Sequence, residues 1–163
     1  MSNPTSTDVV IARASATEPE AIAMIKRHLE QMASQSPEES CHALDGSGLD
    51  AANVAFFLLR RDGQAIAMGA LKTLSNNACE LKSMHTISEA RGSGAGRQML
   101  EFLLSLAKDD GATAIYLETG STADFTPAKQ LYESYGFVEC PPFEGYAEDP
   151  WSFFMRLDLR AVA

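Results

Sequence analysis

The chain is poor in cysteine, tryptophan and positive charge. Its 163 residues hold three cysteines, one tryptophan, and 13 lysines and arginines against 22 aspartates and glutamates. Cys41, Cys79 and Cys140 form neither an even set nor a closely spaced group. That excludes a disulfide framework and a zinc site, and points to reduced thiols in a cytoplasmic protein. A net charge of −9 leaves no basic stripe for a phosphodiester backbone, so nucleic acid is not an expected partner. The acidity itself reads as solubilising. No apolar run approaches the ~20 residues of a membrane span. The polar stretch 1–8 lacks the features of a secretory signal and reads as a frayed tail. Residues 9–163 then form one domain, long enough to bury a full core. Internal repeats, low-complexity segments and linkers are also missing.

Glycine, by contrast, is concentrated where it matters. Arg91-Gly92-Ser93-Gly94-Ala95-Gly96-Arg97 separates a strand-like segment, Ala78 to Ile87, from an amphipathic helical segment, Gln98 to Lys108. A glycine-rich turn opening a helix presents unpartnered backbone N–H groups backed by the helix dipole, and those favour a bound phosphate or pyrophosphate. The spacing does not fit the dinucleotide fingerprint, whose third glycine would fall at Arg97 or Met99. It does not fit the nucleotide-hydrolase loop either, which needs Gly-Lys-Ser/Thr. What remains is Arg-x-x-Gly-x-Gly, from Arg91 to Gly96.

The rest of the chain alternates clear signals. Asp8 to Ala14 is a short apolar strand. Thr17 with Glu20 has the capping-box spacing, Pro19 suits a first turn, and Ile22, Ile25, Leu29 and Met32 follow at helical spacing to about Ala33. Val54 to Arg60 and Gln64 to Leu74 are strands joined by Asp62-Gly63, a strong hairpin signal. Asn76-Asn77 marks the next turn. After the glycine loop, Met99, Leu100, Leu103, Leu106 and Ala107 make an apolar stripe that Gly111 ends. Ala114 to Thr119 is a strand, Thr126-Pro127 opens a last helix, and Phe137 to Cys140 and Ser152 to Leu159 are final strands.

Two of these segments carry a resemblance. Arg91 to Gly96 resembles the coenzyme A pyrophosphate loop of the GNAT superfamily of acyl-CoA N-acyltransferases. Leu131-Tyr132-Glu133-Ser134-Tyr135-Gly136-Phe137 resembles the Leu-Tyr-x-x-x-Gly-Phe signature of that superfamily's last helix. The order and spacing of the two also match, across Ala78 to Val138. The resemblance implies an α/β (α+β) GNAT fold: a mixed, strongly twisted sheet of six to seven strands with about four helices on both faces. It implies an N-acetyltransferase moving an acetyl group from acetyl-CoA to a primary amine of a small molecule, by direct attack in a ternary complex and without a metal. A silent coenzyme A sensor and a protein N-acetyltransferase are the alternatives. A small amine is the expected partner, and a homodimer is among the open oligomeric states.

Carried over by position, the backbone of Met84 and Thr86 would pair with the pantetheine amides. Arg91, Gly92, Gly94, Gly96 and Arg97 would hold the pyrophosphate. Tyr132 would protonate the leaving thiolate. Glu80 and Glu118 are both candidates for the base, directly or through water, and the sequence does not separate them. Tyr135 reads as packing, and His85 should face away from Met84 and Thr86. Phe125 stands where family members often carry asparagine, which argues against a peptide acceptor. His42, Phe143 and Tyr146 lie in segments that resemble a subgroup of small-molecule members and would line the acceptor pocket.

Overall fold

The computed structural model describes residues 8–35, 37 and 44–159. Residues 1–7 of the expected tail and His42 lie outside the described residues; Asp8 is bonded to Asp62, its N–H donating to Asp62 Oδ1 at 3.1 Å. Among these residues seven strands and four α-helices follow the order β1 (Val9–Arg13), α1 (Pro19–Gln35), α2 (Gly46–Leu49), β2 (Val54–Arg61), β3 (Gln64–Thr73), β4 (Cys79–Thr86), α3 (Ala95–Asp109), β5 (Ala114–Gly120), α4 (Thr126–Ser134), β6 (Val138–Glu139) and β7 (Ser152–Asp158). The sheet order is β1-β2-β3-β4-β5-β7-β6. Every pairing is antiparallel except β4 with β5. The mixed α/β architecture expected from the sequence is therefore present.

Local chemistry explains the meander. Asp62 and Gly63 have φ of +52° and +85°, the doubly positive pair of the tight hairpin turn that fits strand twist. Asn76 and Asn77, at +58° and +59°, repeat the device before β4. β3 is buried almost end to end, from Ala65 to Leu71, as a strand must be when helices cover both faces. His85 meets α1 through His28, while its neighbour Met84 packs toward Met99 and Leu103 of α3 around Gly69. Successive strand residues point to opposite faces, so α1 and α3 sandwich the sheet. Met99, Leu100 and Leu103 are fully buried, each contributing roughly 1.5–3 kcal/mol of transfer free energy.

Two expectations about α1 are corrected. Thr17 and Glu20 do not form a capping box. Ser15 N donates to Glu18 Oε2 at 2.7 Å instead, two residues earlier with the same three-residue spacing. Glu20 is drawn away to the sheet, where it accepts from Ala65 N at 2.9 Å and from Arg60. The buried stripe is Ala21, Met24, Ile25 and His28, leaving Ile22 exposed. A tertiary contact with β3 and β4 set the rotation of the helix, and hydrophobicity counting alone missed the buried histidine. β6 is also shorter than expected, and no described helix is long and apolar enough to cross a membrane.

Candidate active site

The site begins with an imperfection in the sheet. β4 and β5 are paired only at Cys79↔Ile115, Glu80↔Tyr116 and Leu81↔Leu117. Beyond that point β4 stays with β3 and β5 stays with β7, so the two central strands part. The cause is a bulge. Ser83 takes φ +56°, and the β3–β4 register slips between Met68 and Ala70. Bulges bend and twist the strand that carries them. Opposite the bulge stands Gly69, where a Cβ would lie 2.8–2.9 Å from Met84, Leu103 and Met99. Only glycine lets Met84 fold in under α3.

The parted strands open a cleft of about 320 Å³. Thr86 leads through a single 3-10 turn, Ser88–Ala90, into the glycine loop. Gly92 and Gly94 have φ of +79° and +89°, and a Cβ on either would meet no protein atom within 4 Å. No side chain caps α3. Its first bond runs from Gln98 N to the Gly94 carbonyl, so the N–H groups of Ala95, Gly96 and Arg97 have no intrahelical partner. Open space over outward N–H groups at a positive helix end suits a pyrophosphate.

The two loop arginines are placed differently. Arg91 lines the cleft, donating to the Thr86 carbonyl at 3.4 Å and to Gln31 Oε1 at 3.2 Å. Arg97 donates to the Tyr135 hydroxyl at 3.1 Å and sits 5.4 Å from that ring; the same hydroxyl donates to Glu101. Tyr135 therefore anchors an arginine. Arg61, at the end of β2, reaches the Ser93 carbonyl at 3.4 Å. Nothing in the sequence pattern singled it out, because the contact spans 32 residues.

Tyr132, Glu80 and Glu118 also line the cleft. Tyr132 lines the cleft, is 7% exposed, and stacks edge-on against Phe137. Burial pushes its phenol up to about 12, so it holds its proton at neutral pH. Glu80 and Glu118 both line the cleft, but their surroundings differ. Glu80 is 2% exposed and committed: Lys82 Nζ donates to its Oε2 at 3.2 Å and the Tyr146 hydroxyl at 2.6 Å. Lys82 Nζ also donates to the Tyr146 oxygen at 2.9 Å, closing a triangle. Burial and the adjacent Glu80 push the Tyr146 phenol far up. Glu118 stands outside the triangle. Burial raises its carboxyl to about 7, against the smaller opposing pull of Ser152 and Lys82.

Phe143 and Tyr146 pack with Tyr116 and Phe154 into an aromatic group, rings 4.8 to 5.8 Å apart. Neither lines the cleft; they back the wall from which Glu80 faces it. His85 does face away from Met84, as alternation requires. It meets His28 with Nδ1 atoms 3.2 Å apart, and burial holds both imidazoles near 4. One Nδ1 must donate and the other accept, so the neutral pair has coupled tautomers. Among the described residues no His, Cys, Asp and Glu cluster is arranged to hold a metal ion.

A helix start with uncapped N–H groups beside a cleft between parted strands, lined by carboxyls and a phenol, suits acyl transfer from a phosphorylated carrier to a nucleophile. The comparisons with known proteins give the same class. The model of the Acetyltransferase (GNAT) family matches residues 21–137, and the chain belongs to that family. It is 38% identical over 138 residues to the uncharacterized N-acetyltransferase YsnE of Bacillus subtilis (strain 168), covering 85% of this chain and 91% of that one. It is 33% identical over 153 residues to the IAA acetyltransferase of Azospirillum brasilense, covering 93% and 99%. A crystal structure from Klebsiella pneumoniae, described as an acyl-CoA N-acyltransferase, superposes with a TM-score of 0.75 at 25% identity, covering 93% of this chain and 98% of that one. The protein is thus an acyltransferase of the GNAT N-acetyltransferase type.

Proposed function

We propose that the protein moves an acetyl group from acetyl-CoA to a primary amine of a small molecule, with both substrates bound together. Residues 9–163 act as one catalytic domain. The pyrophosphate sits on the loop 92–97, held by the backbone of Gly92, Gly94 and Gly96, with Arg91 and Arg97 lending positive charge. The pantetheine arm adds to the free edge of β4 at Met84 and Thr86 like an extra strand. Its thioester then lies between the parted strands, in the same cleft as Glu118 and Tyr132.

The observation that carries this reading is the contrast between those two side chains. Glu118, held near 7 by burial, is ready to take a proton at neutral pH. Tyr132, held near 12 by burial, is ready to give one. The amine loses its proton to Glu118 and attacks the thioester carbonyl. The new C–N bond forms, the C–S bond breaks, and the departing thiolate takes the Tyr132 proton. Glu80 is not the base in this scheme, because Lys82 and Tyr146 already occupy it. It fixes the wall instead, together with Tyr146 and Phe143.

A small acceptor fits the space. About 320 Å³ lies at the lower end of small-molecule pockets. Phe125 is part of its lining, with its ring about 2.0 Å from where a Cβ on Gly120 would stand. Of the two relatives above, one bears a named acceptor, IAA, and the other none. The test is thiol release from acetyl-CoA against a panel of small primary amines. Amine-dependent release supports the reading. Stabilisation by acetyl-CoA without release from any amine supports a sensor and overturns the enzyme scheme.

A further inference from the structure

The inward face of a surface helix is normally apolar, yet α1 turns three polar side chains to the cleft. His28, Gln31 and Gln35 recur at three- and four-residue spacing and all line it. Gln31 is half-buried. Its Oε1 accepts from Arg91 at 3.2 Å, which fixes the direction of the amide and leaves the N–H₂ without a partner among the described residues. For His28 the tautomer decides. His85 Nε2 is buried with no partner, and Arg91 and Arg27 bring positive charge to that ring. A proton on that nitrogen would be an unpaired N–H facing like charge, and buried N–H groups are left unpaired more rarely than buried acceptors. The proton of His85 therefore sits on Nδ1 and is donated to His28 Nδ1 across 3.2 Å. His28 then carries its own proton on Nε2. The α1 wall thus offers the cleft N–H donors.

The rest of the lining has the opposite sense. Glu80, Glu118 and Asp124 bring carboxyls to the same cleft, and Lys82, the cation among them, is taken by Glu80 and Tyr146. A simple alkylamine would meet the carboxyls only. Bound there, it would strip water from the α1 donors and give them nothing in return, which is costly. An acceptor with a carboxylate close to its amine satisfies both walls, and the guanidinium of Arg91 beside Gln31 adds favourable charge. We propose that the acceptor is a small amino acid, its amine held at Glu118 and its carboxylate received on α1 by Gln31 Nε2, with His28 Nε2 beside it. The carboxylate takes no part in the bond changes. The amine gives a proton to Glu118 and forms the C–N bond, the C–S bond breaks, and the sulfur takes the Tyr132 proton. The products are an N-acetylamino acid and coenzyme A. The assignment rests on the acetyl transfer proposed above and narrows its acceptor.

Matched pairs of acceptors test it. Thiol release from acetyl-CoA is measured with each of the twenty standard amino acids and with their decarboxylated amines, phenethylamine beside phenylalanine and isoamylamine beside leucine. Wild type should favour at least one amino acid over its amine by ~10²–10⁴-fold in kcat/KM, the span of two hydrogen bonds to a charged group. Gln31→Glu keeps an oxygen for Arg91 and puts a second oxygen where the amide N–H₂ stood. It should cut that preference ~10²-fold or more, because the new charge repels the carboxylate it replaces a donor for. Coenzyme A should raise the Tm of both proteins equally. Equal kcat/KM across every matched pair, or a preference that Gln31→Glu leaves intact, would overturn the assignment while acetyl transfer stands. A coenzyme A shift lost in Gln31→Glu would put Gln31 on the donor's side and overturn it too. Transfer to no amine and no amino acid would overturn the underlying reading and this assignment with it.

Discussion

The two ends of the cleft satisfy their polar groups in opposite ways. Around 92–97 the donors are backbone N–H groups that point outward, with open space above Gly92 and Gly94 and no side-chain cap on α3. Around Glu80 the polar groups satisfy one another: Lys82, Tyr146 and Glu80 close a buried triangle backed by Phe143, Tyr116 and Phe154. The first is an open mould of unpartnered donors. The second is a finished wall that leaves one carboxyl, Glu118, outside its network.

The largest effect should come from removing the proposed acid. Tyr132→Phe keeps the ring against Phe137 and removes only the hydroxyl. Turnover should fall ~10²–10⁴-fold, the usual span for a general acid, with acetyl-CoA binding little changed. Steady-state rates beside a thermal-shift titration measure both. Next is the triangle. Lys82 and Glu80 have side chains only 8% and 3% exposed, so Lys82→Met strands a buried carboxylate and should destabilise the fold by about 3–5 kcal/mol in urea titrations. Mutation of an exposed pair such as Arg27 and Glu89 should be nearly silent.

Stability against pH sharpens the contrast between the cleft's titrating groups. His28 and His85 are held near 4, below their ordinary 6.5. Unfolding therefore takes up protons between these values, and stability should fall as pH drops from 6.5 toward 4. Glu118 has the opposite sign. Its carboxyl is raised from 4.5 to about 7, so the stability it contributes is present in acid and is lost as pH rises across that window. Glu118→Gln should accordingly raise the stability above pH 7 by up to about 3 kcal/mol, with no gain below pH 4.5. Denaturant titrations at several pH values give the comparison.

The smallest effect on folding belongs to the mould. Gly94→Val introduces a Cβ that touches nothing but forces a branched residue to φ +89°, which costs about 1–2 kcal/mol. Its effect on the ligand should be much larger: the coenzyme A thermal shift should vanish. A variant that loses stability yet keeps the shift would detach the loop from the cofactor.

The mould was legible in the sequence and the wall was not. Arg91 to Gly96, the Asp62-Gly63 hairpin and the α3 stripe are local patterns, each within one element or turn, and all appear where their spacing put them. The wall joins residues far apart in the chain: Tyr146 to Glu80 spans 66 residues. No pattern in either segment announces the bond, so Glu80 and Glu118 looked equivalent until their surroundings were known. The same holds for α1. Glu18 rather than Glu20 accepts in the turn before the helix, and His28 rather than Ile22 is buried, because Arg60, Ala65 and His85 lie on other elements. The bulge at Ser83 had no sequence signal, since serine does not advertise a positive φ.

The pH dependence of kcat/KM in wild type, Glu118→Gln and Glu80→Gln tests the central claim most directly. Wild type should gain activity through a single basic-direction limb near 7, the value to which burial raises Glu118. Glu118→Gln should lose that limb and most of its rate, while Glu80→Gln should keep the limb even if the weakened wall lowers the plateau. A limb that survives in Glu118→Gln and disappears in Glu80→Gln would contradict the account.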